Sequence, residues 1–363
     1  MPKLLLHIGH GKTGSSYIQS SLARSIEVLK ANQIDYPEPR DLDAAIAGRI
    51  TSGNGFILPK LINDPSFQPS GDCLFSSEFI FEYLFDDKFV ANLRKFLQSR
   101  SAELKVLMFI RDPISFVCSG YQQSVKRSGL TKSLPEFLND SEYPKRVNKV
   151  IDILQTFVSI DLTISNYSSG SSPISVVEDW LGVPLGSLLA PPIANVNRSL
   201  TYGELEIQRQ LNLHGGAMAG LLADAFCELV PDVQPDSIRP PLSEQEQFWD
   251  RMAPEISKLN ARVEPSEQYV RDRDVLRATQ PPTQVYSFSK EQLAVIVRIL
   301  ALKVDALAAQ QSQYDALRTK HDALQAKYDE LRAKVQSLHK SLSWKLTAPL
   351  RAVRSRLSPM KDV

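Results

Sequence analysis

Short unbroken apolar runs recur through the first half of the chain, and stretches with apolar residues three or four apart lie between them. Leu4-Leu5-Leu6 with Ile8, Cys73-Leu74-Phe75, residues 106–110 and Leu162-Thr163-Ile164-Ser165 are the runs. Lacking polar alternation, they predict buried strands of a parallel sheet. Ile18, Leu22, Ile26 and Leu29 follow the first run at helical spacing. After the third run, Asp112 and Pro113 supply an N-cap acid and a proline suited to the first helical turn. Further helices are predicted over 134–138, 147–157, 174–181, 202–213 and 243–263, with breaks where prolines gather between 231 and 241 and at 281 and 282. This alternation is that of an α/β fold.

Towards the C-terminus the period changes to seven. With Tyr314, His321, Tyr328, Val335 and Leu342 at a, Leu317, Leu324, Leu331 and Leu338 fall at d. Leu293, Leu300 and Leu307 continue the register upstream. The expectation is a coiled coil of roughly 50 residues and about 75 Å, joining copies of the chain into a homo-oligomer. Past it, Trp344, Leu346, Leu350, Val353 and Leu357 accompany Arg351, Arg354, Arg356 and Lys361. That basic amphipathic tail suits either an anionic membrane surface or plain solvation.

The candidate chemistry sits where the first run gives way to its helix. Gly9-His10-Gly11-Lys12-Thr13-Gly14-Ser15-Ser16 supplies three glycines, a lysine and three hydroxyls. Glycine allows positive φ and close approach of backbone N–H groups, and a helix N-terminus favours an anion. The common triphosphate-binding loop needs a glycine where this chain has Leu6, so the loop here is shorter. Arg111 ends the third run, and Ser115, Ser119 and Gln122 or Gln123 share a face of the helix that follows. A guanidinium offers phosphate a planar fork of donors. Glu78 ends the second run as a candidate general base, with His10 as the alternative. His7, among apolar neighbours, reads as a buried structural histidine donating to backbone.

Together these two junctions resemble the donor site of the sulfotransferase family. Residues 11–16 are similar to its 5′-phosphosulfate loop, which commonly reads Pro-Lys-Thr-Gly-Thr-Thr, with Gly11 in place of the proline and Ser15-Ser16 in place of the threonine pair. Residues 111–121 resemble its 3′-phosphate motif, an arginine at a strand end and a serine eight residues later. The resemblance implies a P-loop-NTPase-like doubly wound parallel sheet with a C-terminal helical and coiled-coil extension. It implies a co-substrate, 3′-phosphoadenosine 5′-phosphosulfate (PAPS), held by Gly11, Lys12, Thr13, Gly14, Ser15, Ser16, Arg111 and Ser119, with Arg198 as a further nucleotide contact. Lys12 would stabilise the leaving phosphate and Glu78 or His10 would take the proton of a carbohydrate acceptor, a surface glycan or its precursor. No metal is required. Two other readings stay open: an ATP-dependent kinase with an atypical phosphate loop, and an inactive sulfotransferase-like scaffold organised by the coiled coil.

At 363 residues and 43% hydrophobic content the chain can bury one large core and carry an appendage. The expected division is a PAPS-binding catalytic core over 1–200, a helical acceptor-side region over 201–288, a coiled coil over 289–342 and the tail over 343–363. A net charge of +1 argues against a general nucleic-acid binder. Three cysteines in apolar surroundings read as reduced core thiols. No histidine or cysteine spacing marks a metal site. No apolar run is long enough for a signal segment or a membrane span, so the expectation is a cytoplasmic enzyme, at the inner membrane surface where the tail meets lipid.

Overall fold

Five strands, β1 (Lys3–Gly9), β2 (Ile34–Asp35), β3 (Asp72–Ser77), β4 (Glu103–Ile110) and β5 (Ile160–Asn166), pair in the order β2-β3-β1-β4-β5. All pairings are parallel. The structure is a computed structural model and describes residues 1–9, 13–49, 51–68, 71–170, 172–192, 198–215, 220–272 and 286–357. Between the strands run α1 (Ser15–Arg24), α2 (Ile26–Ala31), α3 (Leu42–Ile46), α4 (Leu58–Leu61), α5 (Phe79–Tyr83), α6 (Asp87–Arg100), α7 (Pro113–Arg127), α8 (Leu134–Asn139) and α9 (Tyr143–Leu154). After β5 come α10 (Pro173–Leu181), α11 (Tyr202–Gly215), α12 (Leu221–Leu229) and α13 (Leu242–Asn260).

Central β1 is buried from Leu4 to Gly9, as a strand covered on both faces must be. On one face Ile18 and Leu22 of α1 and Ile174, Val177 and Trp180 of α10 pack over Leu5, Leu74, Leu107 and Phe109. Residues of the opposite parity, Leu4, Leu6, Ile8, Phe75, Val106 and Met108, are equally buried. The chain leaves β1 towards β2 on one side and leaves β4 towards β5 on the other. Strands whose connections diverge in this way open a crevice between their C-terminal ends.

The helix predicted to run from Ile18 through Leu29 is two helices. It stops at Arg24, Ser25 takes φ −113°, and α2 restarts at Ile26. Ser25 Oγ instead accepts the Leu189 N–H at 2.8 Å, tying down the segment after α10. At α7 the expected start is realised: Asp112 accepts the Ser115 N–H at 2.7 Å and Pro113 opens the helix.

Both sheet edges are closed by side chains. β2 pairs with β3 only at Asp72 and Cys73. Beyond it the buried Asn54 donates to Leu74 O at 3.0 Å and accepts the Ser76 N–H at 2.8 Å. Its amide does the work of the strand residues that β2 lacks. At the other edge Glu267 accepts the N–H of Asn166, the last residue of β5.

The chain divides into two compact units, Met1–Val295 and Ile296–Val363. Residues 201–288, expected as an accessory region, belong to the first unit, where α11 packs on α7 and α13 on α9. The heptad segment lies in one helix, Lys290–Lys340, of 51 residues and about 76 Å. Breaks at Ser341 and Thr347 set off the helices Leu342–Leu346 and Ala348–Leu357, so the face expected to run from Leu346 through Leu357 is interrupted. Arg351 stacks on Trp344 at 3.7 Å. Among the described residues no helix is long and apolar enough to cross a membrane. All three cysteines are free. Burial pushes the Cys118 thiol up to about 12, whereas Cys227 is half-buried with Lys126 Nζ at 3.3 Å.

His7 is fully enclosed, and its Nδ1 meets Ser76 Oγ at 2.7 Å rather than a backbone carbonyl. Phe109 lies edge-on to the ring at 5.6 Å. Burial pushes its pKa down to about 3 from 6.5. Above pH 6.5 the ring is neutral in both states and this contribution to stability is complete. Below that the unfolded chain binds a proton that the native state refuses, so stability falls as pH falls towards 3. Urea titrations should show the parent losing about 2 kcal/mol more than His7→Gln between pH 7 and pH 5. Equal losses in the two proteins would overturn the assignment.

Candidate functional site

The candidate site is assembled at the C-terminal rim of the sheet by the segments that follow β1, β3, β4 and β5. β1 ends at Gly9, where a Cβ would collide with Ser15 Oγ and come within 3.3 Å of Glu78 Cγ. The missing side chain lets the start of α1 and the end of β3 converge on the strand. His10, Gly11 and Lys12 lie outside the described residues. Thr13 is buried. Gly14 caps α1 at φ 76°, a left-handed conformation that glycine adopts without strain.

The first turn of α1 contains no carboxylate and its cap makes no side-chain hydrogen bond. The N–H groups of Ser15, Ser16 and Tyr17 have no acceptor within the helix, and the macrodipole adds positive potential. Ser15 Oγ is buried and has no hydrogen-bond partner among the described residues. The hydroxyls of Ser20 and Ser21 further along α1 are likewise buried without a partner among the described residues, and Ser15 is the one in the first turn. Ser16 is half-buried on the same turn. Glu78 is exposed, at the cap position of α5.

Arg111 follows β4, its N–H donating to Tyr143 Oη at 3.0 Å. Tyr167 follows β5 and is held from both sides. Its N–H donates to Ile110 O at 2.8 Å, and the neighbouring Ser168 Oγ accepts the Asp112 N–H at 3.2 Å. The Tyr167 ring then spans the crevice. Its Cε2 lies 2.8 Å from where a Cβ on Gly14 would be, and Arg111 Cζ stands 5.6 Å from its centroid. Tyr167 thus joins the loop before α1 to the end of β4.

A second guanidinium arrives from the proline-rich segment before α13. Arg239 donates to Ser115 Oγ at 2.9 Å and stands 3.7 Å from the Asp112 carboxylate. Burial lowers the Arg111 pKa, with Tyr167 and Asp112 opposing and Arg239 adding to the fall. Two guanidiniums around one capping carboxylate leave an excess of positive charge, suited to an oxyanion. Ser119 lies half-buried one turn beyond Ser115 on the same face of α7.

Arg198 does not serve this rim. Its guanidinium makes five hydrogen bonds: to Val230 O, Ser199 O, Phe226 O and both oxygens of Glu204. All five donors are consumed, so Arg198 is a structural residue of the helical region rather than the expected nucleotide contact. Burial works to raise the Glu204 pKa, but hydrogen bonds from Arg198, Gln292 and Thr201 outweigh it and hold the carboxyl below its usual range. Arg127 pairs with Asp224 at 2.6 Å, and buried Lys126 points at Cys227 and Arg198 O, so both turn towards α12.

Beside Arg239 opens a cavity of about 270 Å³. Tyr202 and Tyr286 stack on one wall at 5.5 Å, and Glu206 pairs with Arg209 at 2.6 Å on another. Among the described residues no group of three or more His, Cys, Asp or Glu side chains could hold a metal ion. Sequence reasoning missed Tyr167 and Arg239. The first was detectable by the rule that singled out Arg111, since it immediately follows a strand end; the second lies in an irregular segment with no pattern to expose it. No protein-family model, curated protein or solved structure matches the chain.

Gly14→Ala should destabilise the protein by about 1–2 kcal/mol, from the left-handed φ alone, with further cost from collision with Tyr167. In a Tyr167→Ala background the steric part should vanish. A double-mutant cycle read by urea unfolding checks this, and strictly additive losses would show that the ring does not press on Gly14.

Proposed function

We propose that the chain is a PAPS-dependent sulfotransferase acting on a carbohydrate hydroxyl. The observation that carries this reading is the pairing, across Tyr167, of a carboxylate-free helix N-terminus bearing an unpartnered serine hydroxyl with a strand end flanked by Arg111 and Arg239. The donor has two anionic ends, a 5′-phosphosulfate and a 3′-phosphate, and the rim offers one cradle to each. The resemblance of residues 11–16 and 111–121 to the family's two motifs supports the same reading. The β1/β4 crevice supports the finer, P-loop-NTPase-like form of the doubly wound fold.

In this scheme Ser15, Ser16 and the first-turn N–H groups, with Gly11, Lys12, Thr13 and Gly14, hold the 5′ end. Arg111 and Ser119, with Arg239, hold the 3′-phosphate. The acceptor oxygen forms a bond to sulfur as the bond from sulfur to the 5′-phosphate oxygen breaks. Lys12 stabilises the charge that builds on that departing oxygen, a contribution on the order of 10²–10³ in rate. Glu78 receives the hydroxyl proton, a role supported by its convergence with Ser15 on Gly9; His10 is the alternative base. The scheme requires no metal.

The cavity beside Arg239 supports a sugar on the acceptor side. Tyrosine rings present apolar faces to sugar C–H groups, and the Glu206–Arg209 pair presents an acceptor and donors to hydroxyls. The exposed Leu346 and Leu350 beside Arg351 support contact of the tail with an anionic membrane surface.

Calorimetric titration with 3′-phosphoadenosine 5′-phosphate tests the donor site. Binding should exceed that of 5′-AMP and of ATP with Mg²⁺, and Arg111→Ala should weaken it at least about tenfold. Preference for ATP with Mg²⁺ would instead favour a kinase, and no nucleotide binding would favour a scaffold. In a transfer assay Glu78→Gln should lower kcat by about 10²–10⁴ while leaving donor affinity unchanged. Unchanged kcat would remove Glu78 as the base.

A further inference from the structure

The helix Lys290–Lys340 leaves its heptad seam uncovered. Leu317, Leu324, Leu331 and Leu338 at d are 55–69% exposed, and Tyr314, Tyr328 and Val335 at a are open to a similar degree. Such a row of large apolar side chains, sustained over four heptads, is the surface of a helix that packs against another helix. What it packs against is set by the positions flanking the seam. In the register of the seam, e is occupied by Arg318, Gln325, Arg332 and His339, and g by Lys320, Lys327 and Lys334. No flanking position carries an acid. Asp315, Asp322, Asp329 and Glu330 all fall at b and c, outside the contact. Of the flanking cations, Lys334 is drawn to Glu330 of its own helix at 2.6 Å.

A second copy of the chain fits this surface badly. In a parallel pair g faces e of the partner, and Lys327 would meet Arg332; in an antiparallel pair e faces e and g faces g. Neither arrangement sets an acid opposite a flanking cation: the parallel one puts Lys327 against Arg332 and leaves Lys320 and Lys334 beside Gln325 and His339, the antiparallel one puts lysines against lysines, and like charges set opposite each other act against the pairing. The seam is also too narrow for a lipid-facing helix. Its apolar residues keep a strict a and d spacing, with acids at b and c, whereas an interfacial helix needs a broad apolar face.

We infer that the seam of residues 314–338 binds a partner helix of a different protein, one with apolar residues at a and d and glutamate or aspartate at e and g. This inference does not rest on the sulfotransferase reading. It places the occupant of the coil outside the chain itself, in contrast to the homo-oligomer expected from the heptads alone. Steering by the basic flanks makes the association strongly dependent on salt.

The test uses the full chain and two labelled synthetic four-heptad helices with leucine at d and valine at a, one with glutamate at every e and g, the other with lysine there. Fluorescence anisotropy should show the glutamate helix binding at least about tenfold tighter than the lysine helix. The preference should shrink between about 0.05 and 0.5 M salt. Reversing Arg318, Lys320, Lys327, Arg332 and Lys334 together to glutamate should exchange the preference. Circular dichroism checks that the helix persists, and Leu324→Lys should abolish binding of either peptide. Sedimentation showing that the parent chain already self-associates through the seam, a dimer lost in Leu324→Lys, would overturn the inference. So would equal binding of the two peptides, or binding to phosphatidylserine vesicles with neither peptide bound.

Discussion

Backbone hydrogen bonding at the C-terminal rim of the parallel sheet is the constraint on which the rest of the architecture depends. Strand ladders end there, and the N–H groups beyond them are half-enclosed by loops, where an unmade hydrogen bond costs about 1–3 kcal/mol. Side chains from distant segments supply the acceptors. Asn54 takes the Ser76 N–H, Tyr143 takes that of Arg111, Ser168 that of Asp112 and Glu267 that of Asn166. The region after residue 200 is therefore needed to finish the sheet, because Glu267 closes β5 and Tyr269 bonds the Tyr143 that holds Arg111. A rim satisfied in this way holds the segment after β4 in place.

The start of α1 is left without such a side chain. Its donors have no carboxylate in the first turn and Ser15 Oγ has no partner among the described residues. Two helices of the fold meet such needs with side chains, α7 with Asp112 for a cap and α8 with a reciprocal Ser133–Glu136 box, whereas α9 and α10, like α1, have neither a capping side chain nor a first-turn carboxylate. Gly14, whose left-handed φ and contact with Tyr167 exclude a side chain at the cap, leaves the end of α1 without a capping side chain and open to an anion.

Four of the five strands were legible from their large apolar residues, and α1, α7–α11, α13 and the heptad helix from their periodicity, whereas the two-residue β2 and the helices α3–α6 and α12 were not. Asp112-Pro113 was enough to place α7 to the residue. The break at Ser25 was not legible, since Ile26 and Leu29 keep helical spacing across it and the cause, the Leu189 N–H, lies far along the chain. The same holds for the site. Gly9, Gly14, Ser15 and Glu78 were readable as strand-end residues, whereas Arg239 and Asn54 sit in irregular segments and reach their positions only through tertiary packing.

Arg198 and Arg111 show why charge type alone does not identify a ligand contact. Both are arginines in a polar break before a helix, and both read equally well as phosphate donors. The difference lies in what surrounds them. Glu204, buried completely and held ionised by Arg198, Gln292 and Thr201, takes two hydrogen bonds of the Arg198 guanidinium, and the carbonyls of Ser199, Phe226 and Val230 take the other three. Arg111 has around it Asp112, already committed to capping α7, and Arg239, a second cation that repels it. Bringing two guanidiniums together at a half-buried rim is unfavourable unless something anionic shares the space. Arg198 is committed within the fold by five hydrogen bonds, whereas Arg111 and Arg239 lie together beside Asp112 at the rim.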